Sequence, residues 1–338
     1  MNYLIFGGTG FIGTHLTNLI KELYPEAPVY NLDIVKPGTP LPSVRSYNSP
    51  LKEGESLRSI FIECDVRKPI GELPFIPTSE DIVFNFAAVH RTPGHRDSEY
   101  FETNIRGAEN VCDFAEKYGI KKIVFTSSIA PYGAAEDLKK ETTLPTPNTP
   151  YGISKLVAEK IHMIWQARDV TNRQLTIVRP GVVFGKGENG NFTRLYFGLR
   201  SGKFVYPGRK DTIKACIYVK ELVRFMLYRL EHHQEGTELY NCTFEPAYTI
   251  EQIVETMKKV TGIKRSVPLI PSWMLMPVAT FIGVLGAPMG ICPARVKKLM
   301  ISTNICGNEL AQSGYKFHYS FEEAIADWYK DNNNQYLK

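Results

Sequence analysis

A parallel α/β sheet wound on both faces, with a smaller and partly interleaved C-terminal unit, is the fold class this 338-residue chain predicts. Three observations carry it. The chain opens on a short apolar strand that breaks into spaced glycines and then a helix-compatible run. Five further apolar runs of strand length follow before residue 180, and segments with helical spacing separate several of them. Sheets of this kind gather ligands beyond the carboxyl ends of their strands, so the strand tips are where function should be sought.

The elements follow in order. Tyr3 to Phe6 is the first strand; Gly7, Gly10 and Gly13 come next, then a helix over Thr14 to Leu23. Glycine permits the turn and leaves room for a pyrophosphate against the bare N–H groups of the helix start, where the dipole favours negative charge. The second strand, Val29 to Leu32, ends in Asp33, placed to accept hydrogen bonds from adenosine ribose hydroxyls. That acid would repel a 2′-phosphate and so favours NAD, while Lys36 nearby leaves NADP open.

Residues 36–56 read as a proline- and serine-rich loop outside the core, a mobile stretch or an insertion. Ser59 to Glu63 is a third strand ending in Cys64, Asp65 and Val66, with Asp65 able to reach an adenine edge. Asp81 to Phe86 is a fourth, running into Ala87 and Ala88, where the backbone must come close to a cofactor. Tyr100 to Lys117 has helical spacing and Gly119 as its stop. Lys122 to Thr126, a long helix over Tyr151 to Arg168, and Gln174 to Val178 complete the regular part. From Gly181 the pattern loosens, with helices expected over Val219 to Leu230, Ile250 to Val260 and Phe321 to Tyr329. The expected division is a dinucleotide-binding domain of 1–180 with about 210–245, and a substrate domain of 181–209 with 246–335.

Composition bounds the function. Hydrophobic residues make up 43% and charged residues 22%, as in an ordinary soluble enzyme, and a net charge of +5 without a dense basic run gives nucleic-acid binding little support. Cysteines at 64, 112, 216, 242, 292 and 306 show no metal-ligand spacing, so a reducing, cytoplasmic compartment without disulfides or zinc is expected. No signal peptide is expected, because the first strand begins at once. Between Arg265 and Arg295 there is no charged residue, but prolines at 268, 271, 277, 288 and 293 leave Val278 to Leu285 as the longest apolar piece. That is too short for the roughly twenty residues a spanning helix needs. A buried or substrate-facing helix is the favoured reading of 266–294; a surface touching a membrane or a lipid-bearing substrate is the other.

Tyr151 and Lys155 stand four apart, hence on one helix face. A free phenol titrates near about 10. A lysine cation and the positive nicotinamide would bring it toward neutrality, so that the phenolate can take a hydroxyl proton as the carbon loses hydride. Many ordinary helices carry such a pair; its place between the fifth and sixth strands points to acid/base work. The third member should be a hydroxyl at the tip of the fifth strand: Ser128, with Ser127 as the substitute.

With GGTGFIG, Asp33, Asp65-Val66, Phe86-Ala87-Ala88, Asn104 in TNIRGAEN, TSSIAPYG, YGISK and RPGVVFG from Arg179 in place, the chain resembles the extended short-chain dehydrogenases/reductases, the NAD-dependent epimerase/dehydratase family, over nearly its whole length. The resemblance implies a Rossmann-type NAD domain. Its cofactor would lie against Gly7, Thr9, Gly10, Phe11, Ile12, Gly13, Asp33, Asp65, Val66, Phe86, Ala87, Ala88, Asn104, Ser127, Tyr151, Lys155, Arg179, Pro180 and Val182. Asn104 would also help hold the active-site helix, Lys155 would bind the nicotinamide ribose, and a homodimer through the Tyr100–Lys117 and Tyr151–Arg168 helices is implied.

Departures narrow the chemistry. Family dehydratases place an Asp-Glu pair after the strand-tip hydroxyl, where this chain has Ile129 and Ala130; its 3,5-epimerases place a cysteine where Ala130 stands. What remains is 4-epimerisation of a nucleotide-sugar, or single-step reduction or oxidation of a keto-sugar or a hydrophobic, sterol-like alcohol. Lys214 stands where the family usually offers arginine to a diphosphate, and Asn191, Arg194, Tyr206 and Arg209 are the other candidate substrate contacts. His90, Arg91, His95 and Arg96 form a basic loop that either draws an anionic substrate or is simply solvated. His232-His233 before Gly236 reads as a surface helix cap.

Overall fold

Strands of four to seven residues, most of them apolar, form the centre of the molecule. The computed structural model describes residues 1–37, 58–90, 94–133, 135–234, 236–275, 277 and 299–338. In the main sheet β1 (Tyr3–Phe6), β2 (Val29–Asp33), β3 (Ile60–Glu63), β4 (Ile82–Asn85), β5 (Lys122–Thr126), β7 (Gln174–Pro180) and β12 (Thr237–Cys242) lie in the order β12-β7-β5-β4-β1-β2-β3, with every pairing parallel. The order reverses at β1, so β1 and β4 part at their carboxyl ends and open a crevice there.

Helices cover both faces, which is why these strands read as unbroken apolar runs. On one face α1 (Phe11–Leu23) and α5 (Val219–Glu231) bury Leu16, Ile20, Leu222 and Met226. On the other, α2 (Asp97–Lys117) and α3 (Pro150–Ala167) bury Val111, Phe114, Ala158 and Trp165. Thr149 caps α3 by accepting the Gly152 N–H at 3.1 Å, and Pro150 opens it, so the helix starts one residue before Tyr151.

The remaining elements are short. Residues Ala130–Tyr132 form a 3₁₀ turn; β6 (Ala135–Lys139), β10 (Ile213–Lys214), β13 (Tyr248–Thr249) and β15 (Thr303–Ile305) make a second sheet in the order β13-β10-β15-β6. Two pairs stand beside it, β8 (Val182–Phe184) with β11 (Cys216–Tyr218) and β9 (Tyr206–Pro207) with β14 (Leu269–Ile270). Helices α4 (Asn191–Ser201), α6 (Ile250–Thr261), α7 (Asn308–Gln312) and α8 (Phe321–Asp331) complete the chain. Their core is aromatic, with Phe184 stacked on Phe192 at 4.8 Å and on Tyr218 at 5.4 Å, and with Phe321 and Trp328 against it.

Several boundaries differ from the sequence reading. Helix α2 begins at Asp97 rather than Tyr100, because Asp97 and Glu99 suit a helix start even though they break the apolar spacing. The seventh strand, TELYNC, and helix α4 were not anticipated. Among the described residues no helix is long and apolar enough to cross a membrane, and most of 266–294 and of the loop at 36–56 lies outside them. Cys64, Cys112, Cys216, Cys242 and Cys306 are free thiols; Cys292 is not among the described residues.

Candidate active site

The crevice is built from the glycine turn first. Gly7 adopts φ +74°, and a Cβ there would lie 2.7 Å from the Ala87 nitrogen, so the turn after β1 presses on the loop after β4. Gly13 meets the backbone of Gly8 in the same way, at 2.5 Å from its oxygen. At Gly10 an added Cβ would meet only the Gly7 oxygen, at 3.2 Å. Gly10 is also the N-cap of α1 and brings no side chain to bond the first N–H groups of the helix, which are left for an anion.

Asp33 ends β2 nearly buried, at 4% exposure; its carboxylate accepts the Thr9 N–H at 3.1 Å and the Val35 N–H at 3.4 Å. Burial raises its pKa and those N–H bonds oppose the rise. The acid therefore braces the glycine turn and still keeps lone pairs for hydroxyls. Asn31, one residue pair back on β2, does similar work: it accepts from Thr17 at 3.2 Å and donates to Ser59 at 2.7 Å, and a Cβ at Gly8 would collide with it.

Lys155 fits a bound dinucleotide for a different reason. The residue is 2% exposed and its ammonium lies over the Phe125 ring at 4.4 Å. Burial pulls it down to about 7, the Glu159 carboxylate working the other way. A buried ammonium on α3, in a chain that also offers an open helix start after the glycine turn and an acid at the tip of β2, suits the ribose hydroxyls of NAD.

The candidate reacting groups lie at the head of α3. Tyr151 and Lys155 share a face, Ser128 stands near enough to the Tyr151 hydroxyl to affect its ionisation, and the Tyr151 ring lies 6.1 Å from that of Tyr100. Ser128 Oγ also accepts the Ala130 N–H at 3.1 Å, which turns it toward the helix. The Ser127 side chain points elsewhere: its Oγ donates to Glu159 at 2.5 Å, which leaves Ser128 as the candidate for the substrate hydroxyl. In the chain by itself burial pushes the phenol up to about 12, with Ser128 opposing the rise.

Other residues expected at the cofactor serve as braces. Asn104 accepts the Val89 N–H at 2.8 Å and donates to the Val89 carbonyl at 3.0 Å and to Ser154 at 2.8 Å, tying the loop after β4 to α3. Asp65 is gripped by Arg67, through Nε at 2.8 and 3.1 Å and Nη2 at 2.7 Å, and these bonds hold its pKa below the ordinary carboxylate value. Val66 packs under Gly107, where an added Cβ would come within 2.9 Å of it. Arg179 forms a buried ion pair with Glu159, at 2.8 and 2.6 Å. Pro180 pairs with Cys242, and the Val182 N–H is taken by Ala215 at 2.9 Å. Phe11 packs edge-on to His15, and Phe86 continues the β1–β4 ladder by donating to Phe6 at 2.9 Å.

The candidate substrate residues are not assembled into one cluster. Asn191 and Arg194 bond each other at 3.0 Å on α4. Tyr206 is 1% exposed, so it is a core residue, and Arg209 is held by Asp211 at 2.7 Å and Glu136 at 3.1 Å. Lys214 donates to the Ile301 carbonyl at 2.6 Å, and burial pulls it down to about 8. Arg91 lies outside the described residues; His95 and Arg96 both engage Glu99, at 2.8 and 3.2 Å, which offsets the charge of that loop. His233 is not a surface cap: its ring is buried at 3% exposure, 3.3 Å from Glu238, and only His232 plays the capping part, stacked on Tyr228 at 4.1 Å. Among the described residues no group of His, Cys, Asp and Glu could hold a metal ion.

Comparison with known proteins agrees with this geometry. Residues 3–243 match the NAD dependent epimerase/dehydratase family. The chain is similar, at 31% identity over 96% of its length and 93% of the relative's, to the N-acetyl-α-D-glucosaminyl-diphospho-ditrans,octacis-undecaprenol 4-epimerase of Escherichia coli O157:H7. It is 30% identical to the UDP-glucose 4-epimerase of Streptococcus mutans serotype c over 78% of this chain and 83% of that one. In fold it is similar to the UDP-N-acetylglucosamine 4-epimerase of Methanobrevibacter ruminantium M1, solved with UDP-N-acetylmuramic acid, with a TM-score of 0.75 at 20% identity over 99% and 98% of the two chains.

Proposed function

Because this chain belongs to the NAD-dependent epimerase/dehydratase family, we propose that it is an NAD-dependent 4-epimerase of a nucleotide-sugar, acting by transient oxidation of a secondary alcohol. The observation that carries the reading is the convergence, at the head of one helix, of the buried Tyr151 phenol, with Ser128 near enough to oppose the rise of its pKa, and the buried Lys155 ammonium over the Phe125 ring. NAD, when bound, supplies the hydride acceptor and returns the hydride. Lys155 would hold the cofactor ribose and lend positive charge to the phenol; Tyr151 would take the C4 hydroxyl proton and later return it to the C4 oxygen, once the keto-sugar has turned so that C4 regains its hydrogen on the other face. Ser128 would hold the reacting oxygen in line. Ile129 and Ala130 offer no acid or base for removing water, which supports simple inversion over dehydration.

A second reading of the sugar's carrier has its own support. The polyprenol-diphosphate relative matches 96% of this chain, whereas the UDP-glucose 4-epimerase of Streptococcus mutans matches 78%, and the family match stops at residue 243, short of the uncharged stretch 266–294. Trp273 and Met274, at the described edge of that stretch, are 74% and 50% exposed. These features favour a lipid carrier, and with it contact of this part of the chain with a membrane surface. Homodimerisation in the cytoplasm through α2 and α3 belongs to the same proposal, supported by the exposed Ile153, Val157 and Ile164 on α3.

The test is to incubate the purified protein separately with UDP-N-acetylglucosamine, UDP-glucose and polyprenyl-diphospho-N-acetylglucosamine in detergent, each deuterated at C4. The expected product is inverted at C4 with its deuterium retained. Washing-out of the label into solvent would overturn the hydride mechanism, and turnover of the lipid-linked sugar alone would decide for the second carrier.

A further inference from the structure

Beneath the reacting groups lies an ion pair that the reaction as described does not use. Glu159 is 0% exposed and follows Lys155 by one helical turn on α3. Its Oε1 accepts from Ser127 Oγ at 2.5 Å and from Arg179 Nε at 2.8 Å, and its Oε2 accepts from Arg179 Nη2 at 2.6 Å. Arg179 comes from β7 and rests over the Tyr132 ring at 4.7 Å. One carboxylate thus joins α3, the tip of β5 and the end of β7.

Stability alone does not account for such a pair. Desolvating two charges costs several kcal/mol, and well-packed apolar replacements are often neutral or stabilising. Its position offers another reason. Ser127 and Ser128 are adjacent, and the strand tip is already tied to β7 on both sides of Ser128, through Ser127 N to Val178 O at 2.8 Å and Ile129 N to Pro180 O at 3.2 Å. Clamping Ser127 inward removes the remaining freedom of the tip and sends Ser128 to the opposite side, toward Tyr151.

Resting on the epimerase reading above, we propose that Glu159, held by Arg179, is a positioning residue of the reaction: through Ser127 it fixes Ser128 against Tyr151, and it supplies the counter-charge of the Lys155 ammonium. The groups facing that ammonium are few. Among the described residues they are, on α3, Tyr151, Glu159 and His162; β5 offers the uncharged Phe125 ring; β7 brings the Arg179 guanidinium, which shares the Glu159 carboxylate; α2 brings Tyr100, packed on Tyr151. His162 is itself driven toward neutrality by burial, its ring stacked on Phe125 at 4.1 Å, so it adds no positive charge near neutral pH. Burial alone would strip the proton from Lys155, and Glu159 is the charge that opposes it.

The test follows the Lys155 ammonium by ¹⁵Nζ NMR titration of the protein without cofactor or substrate, alongside the pH profile of kcat. In Glu159→Gln, which keeps the shape and the Ser127 contact, the Lys155 midpoint should drop by about one pH unit or more, and the alkaline limb of the profile should move with it. Glu159→Asp should restore most of that midpoint. Ser127→Ala should leave the midpoint alone and lower kcat about tenfold with little change in KM. An unmoved midpoint in Glu159→Gln overturns the charge role. Wild-type kcat in Ser127→Ala overturns the positioning role, and that variant decides alone should Glu159→Gln not fold. Since the titration needs no substrate, failure of the epimerase reading would show as absent turnover in the wild type and would leave the titration result standing.

Discussion

Tyr151 and Lys155 sit in an interior that resists both of their working charges. Burial holds the phenol neutral up to about 12 and releases the lysine proton near about 7. Tyr151→Phe keeps the ring against Tyr100 and removes only the hydroxyl. NAD should remain bound while turnover falls roughly 10²- to 10⁴-fold; activity within tenfold of wild type would end the acid/base assignment. The lysine makes a second, thermodynamic prediction. Its ordinary pKa of 10.5 is lowered in the fold, so between pH 7 and 10.5 the unfolded chain holds a proton that the folded chain has shed. The contribution of Lys155 to stability is therefore lowest, and flat, below about pH 7 and rises through that window. In the cofactor-free protein, Lys155→Met should stabilise by on the order of 1–3 kcal/mol at pH 6, less toward pH 10, while abolishing turnover. Urea titrations at the two pH values check this; an equal destabilisation at both would contradict it.

At the scale of elements, the glycine turn separates two effects that are usually confounded. Gly7 and Gly119 both have positive φ, +74° and +64°, but a Cβ at Gly7 meets the Ala87 backbone and one at Gly119 meets nothing within 4 Å. Gly119→Ala should cost about 1 kcal/mol of strain. Gly7→Ala should cost about 2–4 kcal/mol and lose NAD affinity. Equal losses of stability and unchanged affinity would show that the turn is only a bend. The same contrast marks what could be read from the sequence. Strands β1, β2, β4, β5 and β7 were legible because burial on both faces leaves them as apolar runs. The edge strand Thr237–Cys242 was not, because Thr237, Glu238, Tyr240 and Asn241 mix polar groups into it. Strands of two or three residues, such as β10 and β14, have no local signature; tertiary pairing makes them. In the candidate site, Tyr151, Lys155 and Ser128 stand out in the sequence by spacing and by position at a strand tip. Glu159 was missed, since a lone acid on a helix ordinarily faces water, and only the arrival of Arg179 from β7 gives it a buried role.

At the scale of the whole molecule, the two cores are held together by buried polar ties as well as by packing. Glu221, near the start of α5 and fully buried, accepts the Tyr315 hydroxyl at 2.5 Å and the N–H groups of His318 and Tyr319 at 2.7 Å each. Glu221→Gln sets an amide against these donors and should cost about 3 kcal/mol, seen as a lower Tm in calorimetry, with kcat per folded molecule unchanged. A drop in kcat without a drop in Tm would mean that this tie reaches the active site. The sheet itself closes late. Its last strand, β12, joins β7 after the excursion through residues 181–236, so for the growing polypeptide the outer flank of β7 stays bare until residue 242 has been made. A ribosome pausing within that excursion holds out a half-built sheet, and a chain terminated there pairs with its neighbours instead of with itself.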